Sequence, residues 1–110
     1  MASITPTLLF IGNTQSGSIY SAPSSSGSYA IVKSINVCNT GTAPETFSLN
    51  LVSSGQTVNI GNAILGNISM SGGNVFSYET SIVMPAGSSL HISQPNTNLT
   101  FTISGVEYDV

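Results

Sequence analysis

Ionisable side chains are the scarcest feature of this sequence. Lys33 is its only lysine or arginine, and Glu45, Glu79, Glu107 and Asp109 are its only acids. About a quarter of an ordinary protein is charged, against 5% here. Nucleic-acid binding needs several basic groups to neutralise phosphates, so one base excludes it. Electrostatic attachment to an anionic membrane is excluded for the same reason. Long apolar runs are also missing. The longest, such as Leu8–Ile11 and Ile82–Met84, fall far short of the ~18 residues that a spanning helix requires. The start, Met1-Ala2-Ser3-Ile4-Thr5, lacks the basic region of a secretion signal, and its apolar stretch is broken at Pro6.

The chemistry-bearing residues are equally sparse. Cys38 is the single cysteine, which excludes a disulfide within the chain. Its apolar neighbours point to a buried small hydrophobe. His91 is the single histidine, and a metal site needs three or four ligands. A Cys38–His91 nucleophilic pair lacks any nearby positive group to lower the thiol pKa. The four acids form no Asp-x-Asp-x-Asp-Gly loop. Glu107 and Asp109, two apart, offer at most a weak cation site. No Gly-x-Ser-x-Gly elbow occurs, and Gly12–Gly17 lacks the lysine of a phosphate loop. Tryptophan is absent, which counts against a sugar-binding platform. The sequons Asn67-Ile68-Ser69 and Asn98-Leu99-Thr100 are expected by chance in so Asn/Ser/Thr-rich a chain. No catalytic residue, cofactor site or metal site emerges, and the chain reads as a non-enzyme.

What is present is apolar and hydroxylic. The chain is 40% hydrophobic, too much for a disordered segment, and its polarity comes from Ser, Thr and Asn. At 110 residues it is the size of one domain. The periodicity is that of strands, with no sustained i, i+3, i+4 pattern. Strands are predicted over 4–11, 17–22, 29–38, 45–53, 57–60, 63–70, 75–84, 89–93 and 98–106. The 45–53 strand is expected to close a hairpin onto 57–60 through Ser53–Gln56. In 29–38, Ile31, Ile35 and Val37 share the parity of Lys33, so a β-bulge near Ser34 is one expectation and two partly covered faces the other. Turn residues every 8–12 positions predict an all-β, single-domain antiparallel β-sandwich or jelly roll of about eight strands.

Residues 1–12 are expected to be an N-terminal arm or edge strand, because Pro6 cannot donate to a ladder. Residues 13–110 form the sandwich. A nearly uncharged surface lacks the repulsion that keeps proteins apart, so contact with neighbours is expected. The candidate interface residues are Ile4, Leu8, Leu9 and Phe10 in the arm, together with Lys33. The expected mode of attachment is apolar burial plus strand pairing at a sheet edge. Lys33 reads either as a salt-bridge partner of Glu79 or Glu45, or as a snorkelling guard on an edge strand.

Several strings resemble small phage structural proteins of β-sandwich type. They are Tyr29-Ala-Ile-Val-Lys-Ser-Ile-Asn-Val-Cys-Asn-Thr40, Thr46-Phe-Ser-Leu-Asn-Leu51, Ile82-Val-Met-Pro-Ala-Gly-Ser-Ser-Leu90 and Leu99-Thr-Phe-Thr-Ile-Ser-Gly-Val-Glu107. The resemblance covers roughly residues 28–107. It implies a virion location and a capsid decoration or cement role, commonly as a homo-oligomer such as a trimer. The implied partners are the major capsid protein or other virion proteins. A neck, tail or fibre accessory protein, and a carbohydrate-binding or adhesin module, are the alternatives carried forward.

Overall fold

A computed structural model describes residues 3–110, with side chains from Pro6 onward. Its strands are β1 (Ser3–Gly12), β2 (Ser16–Ser21), β3 (Tyr29–Asn39), β4 (Glu45–Val52), β5 (Ala63–Met70), β6 (Val75–Pro85), β7 (Ser89–Ser93) and β8 (Leu99–Asp109). One 3-10 turn, Ile60–Asn62, precedes β5. Period-two patterning accounts for the strands. In β8, Leu99, Phe101, Ile103 and Gly105 are buried while the residues between them are half-buried. In β7, Leu90 and Ile92 point inward on either side of His91.

The strands form two four-stranded antiparallel sheets, ordered β1-β8-β3-β6 and β2-β7-β4-β5. The pairing has a simple logic. The first strand pairs with the last, the second with the seventh, the third with the sixth and the fourth with the fifth. Two further pairings, β3 with β8 and β4 with β7, close each sheet. A long hairpin rolled up in this way is a jelly roll, which resolves the choice that periodicity left open.

The core lies between the sheets. Phe47 of β4 meets Phe101 of β8 edge-to-face, with centroids 5.3 Å apart at 82°. It also meets Phe76 of β6 at 5.9 Å and 68°. Both geometries are favoured by the ring quadrupole, and they tie one sheet to the other. Around them pack Val32, Ile35, Val37, Leu49, Met84, Leu90, Leu99 and Ile103, all fully buried.

The expected bulge in β3 is present. Register shifts between Val32 and Ser34 against both neighbours. It turns Ala30 and Val32 inward before Lys33, and Ile35 and Val37 inward after it. At the same level Gly105 lets the backbones of β8 and β3 approach closely, since a Cβ there would lie 1.9 Å from the Ile31 carbonyl oxygen.

Three expectations are corrected. Residues 57–60 are not a strand, and β4 pairs instead with β5. The intervening loop is held by asparagines: Asn59 Oδ1 accepts from Gly61 N at 2.7 Å, and Asn62 Oδ1 accepts from Asn59 N at 3.2 Å. The buried Asn50 donates to Asn62 Oδ1 at 2.8 Å and to the Asn59 carbonyl at 3.0 Å. Second, Cys38 is half-buried rather than buried, because the bulge turns it away from the core. Third, Lys33 does not guard an edge, since β3 lies between β8 and β6.

Candidate assembly surface

The ends of the sandwich are held by buried amides. Gln94 donates to the carbonyls of Thr14 (2.9 Å) and Leu99 (3.1 Å) and accepts from Leu99 N at 3.1 Å. Asn39 donates to the Ala43 carbonyl at 3.0 Å and accepts from Gly41 N at 3.0 Å. These side chains satisfy loop backbone that would otherwise be buried without partners. Among the described residues no buried side-chain polar atom is left unpaired. The amides were not singled out in the sequence, because Asn and Gln are common throughout it.

The acids are dispersed, and three of the four are structurally engaged. Glu45 accepts from Asn96 Nδ2 at 2.9 Å and Asn98 Nδ2 at 3.0 Å, and these two bonds hold its carboxyl below the ordinary value. Glu107 faces inward beside Ala30, where it accepts a hydrogen bond from the Tyr20 hydroxyl of the opposite sheet. Burial, and then that bond, pushes the Tyr20 phenol well above its usual range. Asp109 accepts from Ser28 Oγ at 3.3 Å.

His91 Nε2 lies 3.0 Å from Ser89 Oγ. The pair sits on adjacent outward positions of β7, and His91 is flanked across the sheet by Ser18 and Asn50. Among the described residues no carboxylate orients the ring, so the arrangement lacks the third member of a nucleophilic triad. Among the described residues no three His, Cys, Asp or Glu side chains gather as metal ligands.

The outer face of the β2-β7-β4-β5 sheet is neutral and polar. Ser48 lies opposite Ser93, and Asn50 opposite His91. Above it a groove of about 450 Å³ runs under the 53–62 loop, lined by Ser48, Asn50, Val58, Ile60, Asn67 and Ser93 among others. A shallower hollow of about 220 Å³ adjoins it near Phe47, Gln94 and Pro95. No ionisable side chain lines either one, so neither is equipped for acid–base chemistry.

The outer face of the β1-β8-β3-β6 sheet divides into two halves. In one half, ladder rows run Pro6–Val106–Ile31–Val83 across all four strands and Tyr108–Tyr29–Pro85 across three. Tyr29 and Tyr108 stack with centroids 5.0 Å apart. The other half mixes polar and apolar groups: Ser77 Oγ donates to Asn36 Oδ1 at 2.7 Å, while Leu8 and Ile11 on β1 and Val75 on β6 stand exposed. Among the described strand residues, the exposed large hydrophobics Leu8, Ile11, Val75, Tyr78 and Val83 all belong to this sheet. None lies on a strand of the other.

The candidate interface residues separate accordingly. Leu8 is 55% exposed on the outer face. Leu9 is buried and Phe10 packs against the core, because a bulge between Leu8 and Phe10 turns both inward. The Ile4 side chain falls outside the described residues, and its backbone lies opposite Tyr108. Lys33 is exposed, and its ammonium donates to Ser81 Oγ at 2.7 Å rather than to a carboxylate.

Strand pairing at an edge meets an obstruction on every edge. β1 is bulged at Leu9 and β2 at Ile19. β5 has extra residues opposite Ser48, where Asn67 takes φ +49°, and opposite the Leu49–Asn50 step. β6 presents Thr80 and Ser81 against the single residue Lys33. Bulges on edge strands discourage addition of a further strand.

The fold therefore belongs to the eight-stranded jelly rolls, a class shared by viral capsid domains and lectins. Within that class the chain is similar to solved virus structures. It matches a chain of the infectious bursal disease virus Gx strain with a TM-score of 0.59 and 13% identity, over 99% of this chain and 33% of that one. It matches a chain of the T13 particle of the same virus with a TM-score of 0.56 and 13% identity, over 98% of this chain and 30% of that one. The chain thus spans about a third of the length of the viral chains it resembles. At this identity the likeness is one of fold. No protein-family profile and no curated protein sequence matches the chain.

Proposed function

We propose that this chain is a structural protein of a virus particle, acting as a phage-type decoration or cement protein on the major capsid lattice. The observation that carries the reading is the jelly-roll strand order on a surface without assembled chemistry. Three of its four acids hold loops and sheets together, its one histidine has no orienting carboxylate among the described residues, and its grooves are neutral. The capsid-like fold of the viral neighbours and the phage-like strings of the sequence point the same way. Attachment would rest on apolar burial, which needs no charge and resists salt.

The test compares particles assembled with and without the chain. Loss of the chain should lower the temperature at which particles release their genome, and adding back purified protein should restore it. Particles equally heat-stable in both states would refute a cement role.

A further inference from the structure

The outer face of the β1-β8-β3-β6 sheet, whose strands bear exposed apolar side chains, also carries the only lysine or arginine of the sequence. Lys33 projects from the middle of that face, and its ammonium reaches only the Ser81 hydroxyl. Glu79 stands next to it on β6, opposite Ser34, and is exposed. No hydrogen bond or ion pair among the described residues engages the Glu79 carboxylate. One free anion and one weakly engaged cation therefore sit side by side, beside the Pro6–Val106–Ile31–Val83 row.

We propose that this face binds a second copy of the chain, face to face about a two-fold axis. An isologous contact places each residue against its counterpart's neighbours. Lys33 of each copy then meets Glu79 of the other, and the apolar halves cover one another. The size suits a transient pair. Strands of 10 or 11 residues, at about 3.3 Å per residue and 4.8 Å between strands, give a flat area of about 650 Å². A stable interface takes about 800 Å² per partner and transient ones take less, so the pair is expected to dissociate on dilution. Sheets stacking face to face is the ordinary way such surfaces are buried. The bulged edges leave this route open while closing strand addition. The unit of self-association is then a pair, not the trimer that the phage resemblance implies, and the proposal stands apart from the virion reading.

Charge reversal tests it. K33E and E79K should each weaken the pair about tenfold or more, since each reversal sets like charges opposite twice in a two-fold contact. K33E/E79K should restore it. Mixing K33E protein with E79K protein should yield a heterodimer, because every cross-pair is then attractive. V83K should dissociate the pair, whereas S18K, on the opposite sheet, should not. The readout is mass by analytical ultracentrifugation over a concentration series, with far-UV circular dichroism confirming that each variant is folded. A monomer for the parent protein at all concentrations would overturn the proposal. So would single variants that associate as the parent does, or a folded K33E and E79K mixture that forms no pair.

Discussion

Replacing Gly105 by alanine should destabilise the domain more than any other single-methyl addition to its strands. A Cβ at this position would lie 1.9 Å from the Ile31 carbonyl oxygen and 3.0 Å from its carbon. That oxygen belongs to backbone, so no side chain can swing away. It must retreat to at least 3.0 Å, a distance below which real Cβ contacts are essentially never found. β8 and β3 are the two inner strands of their sheet, so opening them disturbs both neighbours. Two ladder hydrogen bonds at about 1 kcal/mol each, with overpacking of about 1–3 kcal/mol, give a loss of about 3–5 kcal/mol. Domains of this kind hold about 5–15 kcal/mol in total. At about 4 °C per kcal/mol, the melting temperature should fall by about 12–20 °C. Circular dichroism melts and urea titrations measure this directly. Gly66→Ala is the control, since nothing lies within 4 Å of its added Cβ, and it should change stability by no more than about 0.5 kcal/mol. A G105A protein that melts within about 2 °C of the parent, or a G66A protein equally destabilised, would refute the reasoning.

Glu45 predicts acid sensitivity. Its folded pKa lies below the ordinary 4.5, so its stabilisation is complete above that value and is lost as pH falls through the folded pKa. Urea midpoints measured between pH 7 and pH 3 should fall less for E45Q than for the parent protein over the acid limb. Tyr20 predicts the alkaline counterpart. Its folded pKa is raised above 10, so stability should decline above pH 10 as the unfolded chain ionises first, and Y20F should lack that share of the decline. At neutral pH, Y20F should cost about 1–3 kcal/mol in urea denaturation, because the inward-facing Glu107 carboxylate loses its hydroxyl donor. Gln94→Ala should cost a similar amount and speed hydrogen exchange in residues 13–15 and 94–99, whose carbonyls and amides it holds.

How much of this was legible in the sequence depended on where the strands are regular. β8 was read correctly because Leu99, Phe101 and Ile103 alternate without interruption, and β7 because Leu90 and Ile92 bracket His91. The β3 bulge left a trace, since Lys33 broke the parity of a run that is otherwise apolar. The bulge in β1 left none. Leu8-Leu9-Phe10-Ile11 is apolar at every position, so the run does not disclose that Leu9 and Phe10 turn inward while Leu8 and Ile11 turn out. Residues 57–60 misled for the opposite reason. Val58 and Ile60 alternate like a strand, yet the asparagine bonds of Asn59 and Asn62 hold a turn. The sheet order was beyond periodicity altogether. Pairing of β1 with β8, some hundred residues on, depends on how inward faces fit, not on local pattern. The gathering of the Pro6–Val106–Ile31–Val83 row on one outer face follows from that order and appeared only with it.

The most direct measurement of a virion role is quantitative mass spectrometry of purified particles, calibrated against the major shell protein. A cement protein on a closed symmetric lattice should be present in a fixed ratio to that shell protein, at on the order of hundreds of copies per particle. Absence of the chain from purified particles, or about a dozen copies or fewer, would contradict the account.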